Sequence, residues 1–208
     1  MGKKPAITVI DYHMGNILSI VNKIHRTGYE AIVTNRIDLI KTAEKLILPG
    51  VGHFQRAIEN LKQLKLLDVL NEAVLVRKIP ILGICLGMQL MAEHSEEGDV
   101  DGLKWFDAEV VKFRVSDQLK YKIPHIGWNN AIIEKESPLF KGISHEAMYY
   151  FVHSYHIKCN KKEDILTTTE YDYLFTSSIQ KNNILGTQFH PEKSHDAGEI
   201  LLKNFAKL

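Results

Sequence analysis

The chain has 208 residues, 45% of them hydrophobic, which suits one sizeable α/β core over residues 1–208 and is short for two. Its 26 Lys and Arg balance 25 Asp and Glu, a formal charge of +1, so no overall field draws it to nucleic acid or an anionic membrane, and a metabolite or protein partner is expected. Two cysteines, Cys85 and Cys159, are too few for a disulfide framework, and the basic start Met1-Gly2-Lys3-Lys4 leads into an apolar stretch too short for a signal sequence. These features point to a cytoplasmic protein.

Residues 6–10 read as a strand, and Ile17, Ile20, Val21 and Ile24 then recur at helical spacing up to Thr27-Gly28. A second strand is predicted over 30–34, a short helical piece over 38–42, and a third strand over 45–48 that closes on Pro49-Gly50-Val51-Gly52. Phe54, Ala57, Ile58 and Leu61 fit one helix and residues 66–76 another, before an apolar strand over 79–84. Strands alternating with helices imply a parallel sheet with right-handed crossovers, a flavodoxin-like open sheet with helices on both faces. After the polar turn Glu96-Glu97-Gly98-Asp99 the segments become short, aromatic and alternating. Strands over 109–113, 126–134, 148–152, 165–170, 175–180 and 184–188 read as an antiparallel extension of that sheet, with hairpin turns at 160–162 and 181–183. A last helix runs from about His195 to the end.

The strand at 79–84 runs into Gly83-Ile84-Cys85-Leu86-Gly87, followed by Met88, Leu90, Met91 and Ala92 in a helical pattern. Strand, sharp turn and helix with a nucleophile type at the turn make a nucleophile elbow, with Cys where many hydrolases carry Ser. A free cysteine ending an apolar strand is usually core. The glycines on each side favour a nucleophile, because a turn that lifts the side chain out leaves no room for neighbouring Cβ atoms. The chain offers a base at Gly186-Thr187-Gln188-Phe189-His190-Pro191-Glu192: Pro191 ends the strand, and Glu192 turns back towards His190. A carboxylate there would fix the imidazole tautomer and stabilise the imidazolium. Gly50 and Gly52 free a loop to aim backbone N–H groups at a ligand, as an oxyanion hole requires. In Tyr149-Tyr150-Phe151-Val152-His153-Ser154-Tyr155-His156 the alternating aromatics imply a strand and the polar run its exposed end. No metal is expected at His153 and His156, since no second cluster with ligand spacing accompanies them.

The stretches GICLGMQLM, PGVGHF, PHIGWN, YFVHSYH and QFHPEKS, which span nearly the whole chain in order, resemble the class I glutamine amidotransferases, and within them the glutaminase subunits of imidazole glycerol phosphate synthase. The resemblance implies glutamine hydrolysis without a cofactor. Cys85 would attack the carboxamide, His190 would act as base and then acid, and Glu192 would orient His190. The backbone N–H groups of Leu86 and Val51 would form the oxyanion hole, the second only after the Gly50-Val51 peptide turns inward. Gly52, Gln89, His153, Ser154 and Tyr155 match the family's glutamine pocket, with Tyr150 and Lys193 near the interface with a (β/α)₈-barrel cyclase. Ammonia would pass to that partner within a heterodimer.

Two stretches depart from the family pattern. His13 replaces the first glycine of Asp-Tyr-Gly-x-Gly-Asn, which calls for a changed loop or strain if that position is left-handed, and Gly102-Leu103-Lys104-Trp105 replaces a Gly-Leu-Gly pattern. They suggest an alternative acceptor: a paralogous glutaminase feeding amidination of a bacterial surface sugar. A Cys-dependent peptidase or deglycase on a related sheet would need only the elbow, and a binding module neither elbow nor base.

Overall fold

The computed structural model of the chain describes residues 6–208; Met1 to Pro5, with the basic start from which no signal sequence is expected, lie outside it. Four strands, β1 (Ile7–Ile10), β2 (Ala31–Thr34), β3 (Leu46–Leu48) and β4 (Ile81–Ile84), run parallel in the order β2-β1-β3-β4. Every residue of β1, β3 and β4 is buried, as the near-continuous apolar runs require of strands covered on both faces. Between them lie α1 (Ile17–Arg26), α2 (Ile37–Lys41), α3 (Phe54–Gln63) and α4 (Leu67–Asn71).

The two-residue period of the strands sends alternate side chains into two separate cores. Ile10, Leu46, Leu48 and Ile81 pack with Phe54, Ala57, Ile58 and Leu61 of α3. Val9, Ile47, Leu82 and Ile84 pack on the opposite face with Ile20 and Ile24 of α1 and with Leu201, Leu202 and Phe205 of the last helix. The predicted helix over 66–76 divides: α4 ends at Asn71 and one π-helical turn, Glu72–Val76, completes it.

After β4 comes α5 (Leu86–Gln89), only four residues long. The helical pattern at Leu90, Met91 and Ala92 does not continue it, because their carbonyls accept from Leu103, Trp105 and Lys104 N–H at 2.7, 2.9 and 3.0 Å. The second half is β5 (His94–Ser95), β6 (Val100–Asp101), β7 (Ala108–Lys112), β8 (His125–Asn130), β9 (Ile132–Ile133), β10 (Met148–His153), β11 (Tyr155–Cys159), β12 (Ile165–Tyr171), β13 (Tyr173–Lys181) and β14 (Ile184–Thr187), closed by α6 (His195–Lys207).

Only part of this half extends the main sheet. β14 pairs parallel with β4, and β13, β12 and β9 follow it antiparallel to the far edge. β8 and β10 form a two-stranded sheet, and β11-β7-β5-β6 a four-stranded one. Tyr149, Phe151 and His153 are buried while their neighbours are not, so β10 needs a cover on one face and packs as a layer instead of adding to an edge. The turn at 181–183 is the predicted hairpin, with Asn182 at φ +54°, whereas 160–162 joins strands of different sheets.

Both departures from the expected pattern keep left-handed backbone: His13 sits at φ +65° and Lys104 at φ +59°. The loop at 11–16 is therefore held in a glycine-like conformation by a residue with a Cβ, helped by His13 N–H donating to Asp11 Oδ1 at 3.1 Å.

Candidate active site

β4 delivers Cys85 to the carboxyl edge of the sheet, where open α/β sheets place their sites. Cys85 has φ +53° and ψ −110°, a strained conformation held from both sides. Its N–H donates to Thr187 O of β14 at 2.7 Å, and its carbonyl accepts from Met88 and Gln89. A Cβ on Gly87 would stand 1.8 Å from Leu48 O, so α5 can pass this close to β3 only with glycine there. The sulfur opens onto a cavity of about 300 Å³.

His190 follows β14, its N–H donating to Tyr150 O at 2.9 Å and its carbonyl accepting from Ser194 Oγ at 2.6 Å. Its Nδ1 lies 2.8 Å from Glu192 Oε1, and both side chains are 1% exposed. Burial alone would push the imidazole down; the charge of Cys85 and the Glu192 carboxylate outweigh it and push it up to about 10. Nδ1 is thus taken by the carboxylate, and Nε2, buried and with no hydrogen-bond partner among the described residues, is left for the sulfur.

The Pro49–Gly52 loop lies over the elbow. Leu86 N–H donates to Gly50 O at 3.3 Å, so one of the two proposed oxyanion donors is covered by the carbonyl of the peptide whose N–H is the other. The loop is anchored from below. Tyr12, fully buried, donates its hydroxyl to Pro49 O at 2.5 Å, and its own carbonyl accepts from Asn60 Nδ2 at 2.9 Å. Burial, and then the charge of Cys85, holds the Tyr12 phenol protonated. A Cβ on Gly50 would stand 2.7 Å from that hydroxyl.

Val51, Gly52, Leu86, Gln89, His153, Ser154 and Tyr155 all line the cavity with Cys85; Gly50 sits behind them. Sequence reasoning missed Glu97, also in the wall, which read as part of a solvent turn; its carboxylate accepts from Phe54 N–H at 2.8 Å. It also missed Tyr12 and Gln188, whose roles rest on contacts across 37 and 103 residues and leave no local signal.

The expected exposed end at 153–156 is instead a bend between two strands: His153, ending β10, and His156, in β11, are each 6% exposed, and Ser154 and Tyr155 between them are half-buried. Phe113 touches His125, His153 and His156, with ring centroids at 6.2, 5.2 and 4.7 Å. Burial among these rings pushes His125 and His156 down to about 4 and His153 well down, so all three are neutral.

Lys193 and Tyr150 meet on the outer side of His190, the ammonium 5.3 Å from the ring centre. Trp128 stacks on His195 beside them, and Ile126, Trp128 and Met148 are 59%, 42% and 45% exposed. Among the described residues no group of three or more His, Cys, Asp or Glu could hold a metal ion, and no helix is long and apolar enough to cross a membrane.

The family model for glutamine amidotransferase class-I matches residues 8–208. The chain is 50% identical over 201 residues to imidazole glycerol phosphate synthase subunit HisH 2 of Methanococcus maripaludis, covering 97% of this chain and 98% of that one. It is 46% identical to subunit HisH 1 of Campylobacter jejuni over 97% of this chain and 100% of that one. With subunit HisH 2 of Pseudomonas aeruginosa it shares 43% over 97% and 99%. A solved structure of a GMP synthase subunit from Thermoplasma acidophilum superposes with a TM-score of 0.74 at 19% identity, covering 100% of this chain and 94% of that one.

Proposed function

The chain belongs to the class I glutamine amidotransferases, and from that premise we propose that it is the glutaminase subunit of imidazole glycerol phosphate synthase, acting in histidine biosynthesis. The Cys85 thiolate attacks the side-chain carbonyl carbon of glutamine. His190 takes the thiol proton at Nε2 and returns it to the departing ammonia, while Glu192 holds Nδ1 and the imidazolium charge. Water, activated by the same imidazole, then cleaves the thioester and releases glutamate. The Glu97 carboxylate offers a partner to the substrate's ammonium group, and Gln89, Ser154 and Tyr155 offer polar contacts along the cavity.

The oxyanion forming in each step needs the N–H groups of Leu86 and Val51. The Leu86–Gly50 hydrogen bond must first break and the Gly50-Val51 peptide turn over, which makes the loop a switch. Removing one oxyanion donor costs about 10²–10³ in rate, so a loop that withholds them keeps isolated protein nearly silent. Free ammonia is mostly protonated at neutral pH and useless as a nucleophile, so silence without an acceptor avoids waste. A (β/α)₈-barrel cyclase docking on the face formed by Ile126, Trp128, Met148, Tyr150 and Lys193 would take the ammonia directly; this exposed apolar strip beside His190 supports a heterodimer. We read the whole of 1–208 as one cytoplasmic glutaminase unit.

The observation that carries this reading is Cys85, strained on its elbow at the cavity, with its charge acting on the buried His190 that Glu192 holds at Nδ1. Glutamine hydrolysis, assayed with and without the histidine-pathway cyclase and its ligand, tests it: turnover should rise steeply only with both. The numbered names of the Methanococcus, Campylobacter and Pseudomonas relatives favour testing a second acceptor. Stimulation only by a cyclase of surface-sugar amidination would replace the histidine pathway and keep the glutaminase.

A further inference from the structure

We propose that Gln188 is a further catalytic residue: its side-chain amide donates to the Cys85 sulfur and stabilises the thiolate from the side away from the base. Gln188 is fully buried just beyond β14, and its Nε2 lies 3.5 Å from Cys85 Sγ. Its main chain is held by an N–H bond to Ser177 O at 2.8 Å.

The amide cannot turn its oxygen to the sulfur, because its neighbours fix its polarity. Gln89 Nε2 has two N–H groups and both are engaged, on Tyr155 O at 2.9 Å and on Gln188 Oε1 at 3.0 Å. Gln188 therefore accepts through Oε1 and has only its NH₂ end for Cys85. The arrangement is anchored further back. His153 Nδ1 donates to the same Tyr155 carbonyl at 2.8 Å, and since His153 is neutral its Nε2 accepts from His125 Nδ1 at 3.2 Å. A hydrogen-bonded network thus runs from the aromatic cluster through the pocket wall to the nucleophile, with each donor and acceptor assigned by the next.

The titratable groups around Cys85 are Tyr12, from the end of β1, His190 with Glu192 behind it, and, in the wall of the same cavity, Glu97, His153 and Tyr155. Tyr12 commits its O–H to a hydrogen bond on Pro49 O, and His190 gives its proton away during the reaction. Among the described residues it is Gln188 whose side chain donates to the sulfur and never leaves, so the sulfur keeps a partner while His190 serves the leaving ammonia. This deepens the glutaminase reading and rests on it for the reaction, though not for the contact.

Gln188→Met keeps the length and removes the donor. Labelling of Cys85 by iodoacetamide, followed by peptide mapping, should slow roughly tenfold at pH 7, the scale of a hydrogen bond to a charge. The deficit should shrink as pH rises and the thiolate forms unaided, and kcat should fall with KM nearly unchanged. A loss that is the same at every pH, or no loss, overturns the proposal, because misplacement alone would not track thiolate formation. If Gln188→Met does not fold, Gln89→Met decides: it leaves Gln188 in place but frees its amide to turn, so labelling at pH 7 should slow a few-fold with the same convergence at high pH, and unchanged labelling overturns the proposal. Labelling needs no glutamine. Wild-type protein that labels fast yet hydrolyses no glutamine, even with either cyclase and its ligand present, would sink the glutaminase reading and leave the Gln188 assignment standing.

Discussion

Two corners of this molecule bury imidazoles to nearly the same degree and leave them in opposite charge states. His190 is 1% exposed and is pushed up to about 10, whereas His125 and His156, at 3% and 6%, are pushed down to about 4. Burial opposes the charged form in both corners. At His190 a carboxylate and the Cys85 charge outweigh that cost; at the other three, the partners are rings, carbonyls, a phenol and one another. The sign of a buried histidine is thus set by the one or two groups it touches, and here the charged one sits at the chemistry and the neutral ones behind the pocket wall.

Removing the thiol should break the charged corner most. Cys85→Ala is expected to lower glutamine hydrolysis by about 10⁴–10⁶ while the fold survives, measured as stimulated turnover alongside circular dichroism. Peptide mapping with a glutamine-like electrophile should find label on Cys85 and none on Cys159, whose thiol burial pushes up to about 12. Glu192→Gln removes the other charge but keeps the hydrogen-bonding shape, and should cost less, about 10³–10⁴ in kcat; a loss equal to that of Cys85→Ala would mean that Glu192 does more than orient.

Stability against pH sharpens the contrast, because the two corners act on opposite limbs. A depressed histidine stabilises the fold above its ordinary value of 6.5, and that contribution is lost as pH falls from there towards about 4. Urea melts should therefore show falling stability between pH 6.5 and 4.5, by up to about 1.4 kcal/mol per pH unit for each fully buried imidazole, and His156→Phe should flatten that limb. The raised His190 does the reverse: its contribution is complete below 6.5 and is lost as pH rises through about 10, so Cys85→Ala should flatten the alkaline limb. The smallest effect serves as a control outside both corners. His13→Gly relieves a left-handed backbone and should stabilise by about 1 kcal/mol in the same melts, independently of any buried imidazole.

These corners also mark how much could be read in the residues. Cys85 between Gly83 and Gly87 after an apolar run, and His190-Pro191-Glu192 at a strand end, are local patterns in which turn geometry demands particular residue types, so both were legible. So were the parallel strands and the helices that cover them, through their periodicity. What escaped depends on contacts far apart in the chain. The polar run at 153–156 looked exposed until Phe113 and Phe175 closed over it. The helix after the elbow stopped early because residues 103–105 took its carbonyls. Glu97 became pocket wall only when α3 presented its N-terminal N–H. His13 and Lys104 carry no glycine signal of their own; only the family pattern pointed to a left-handed backbone at His13, and Lys104 adopts one as well.

The bond from Leu86 N–H to Gly50 O makes a single amide proton a reporter of readiness. While the carbonyl covers it, that proton is sheltered and should exchange slowly with solvent deuterium; once the peptide has turned, it faces the cavity and exchanges faster. Deuterium uptake at Leu86 would then count the molecules poised to react before any glutamine is added. A partner that opens the loop would show itself in an exchange rate, with no turnover needed to see it.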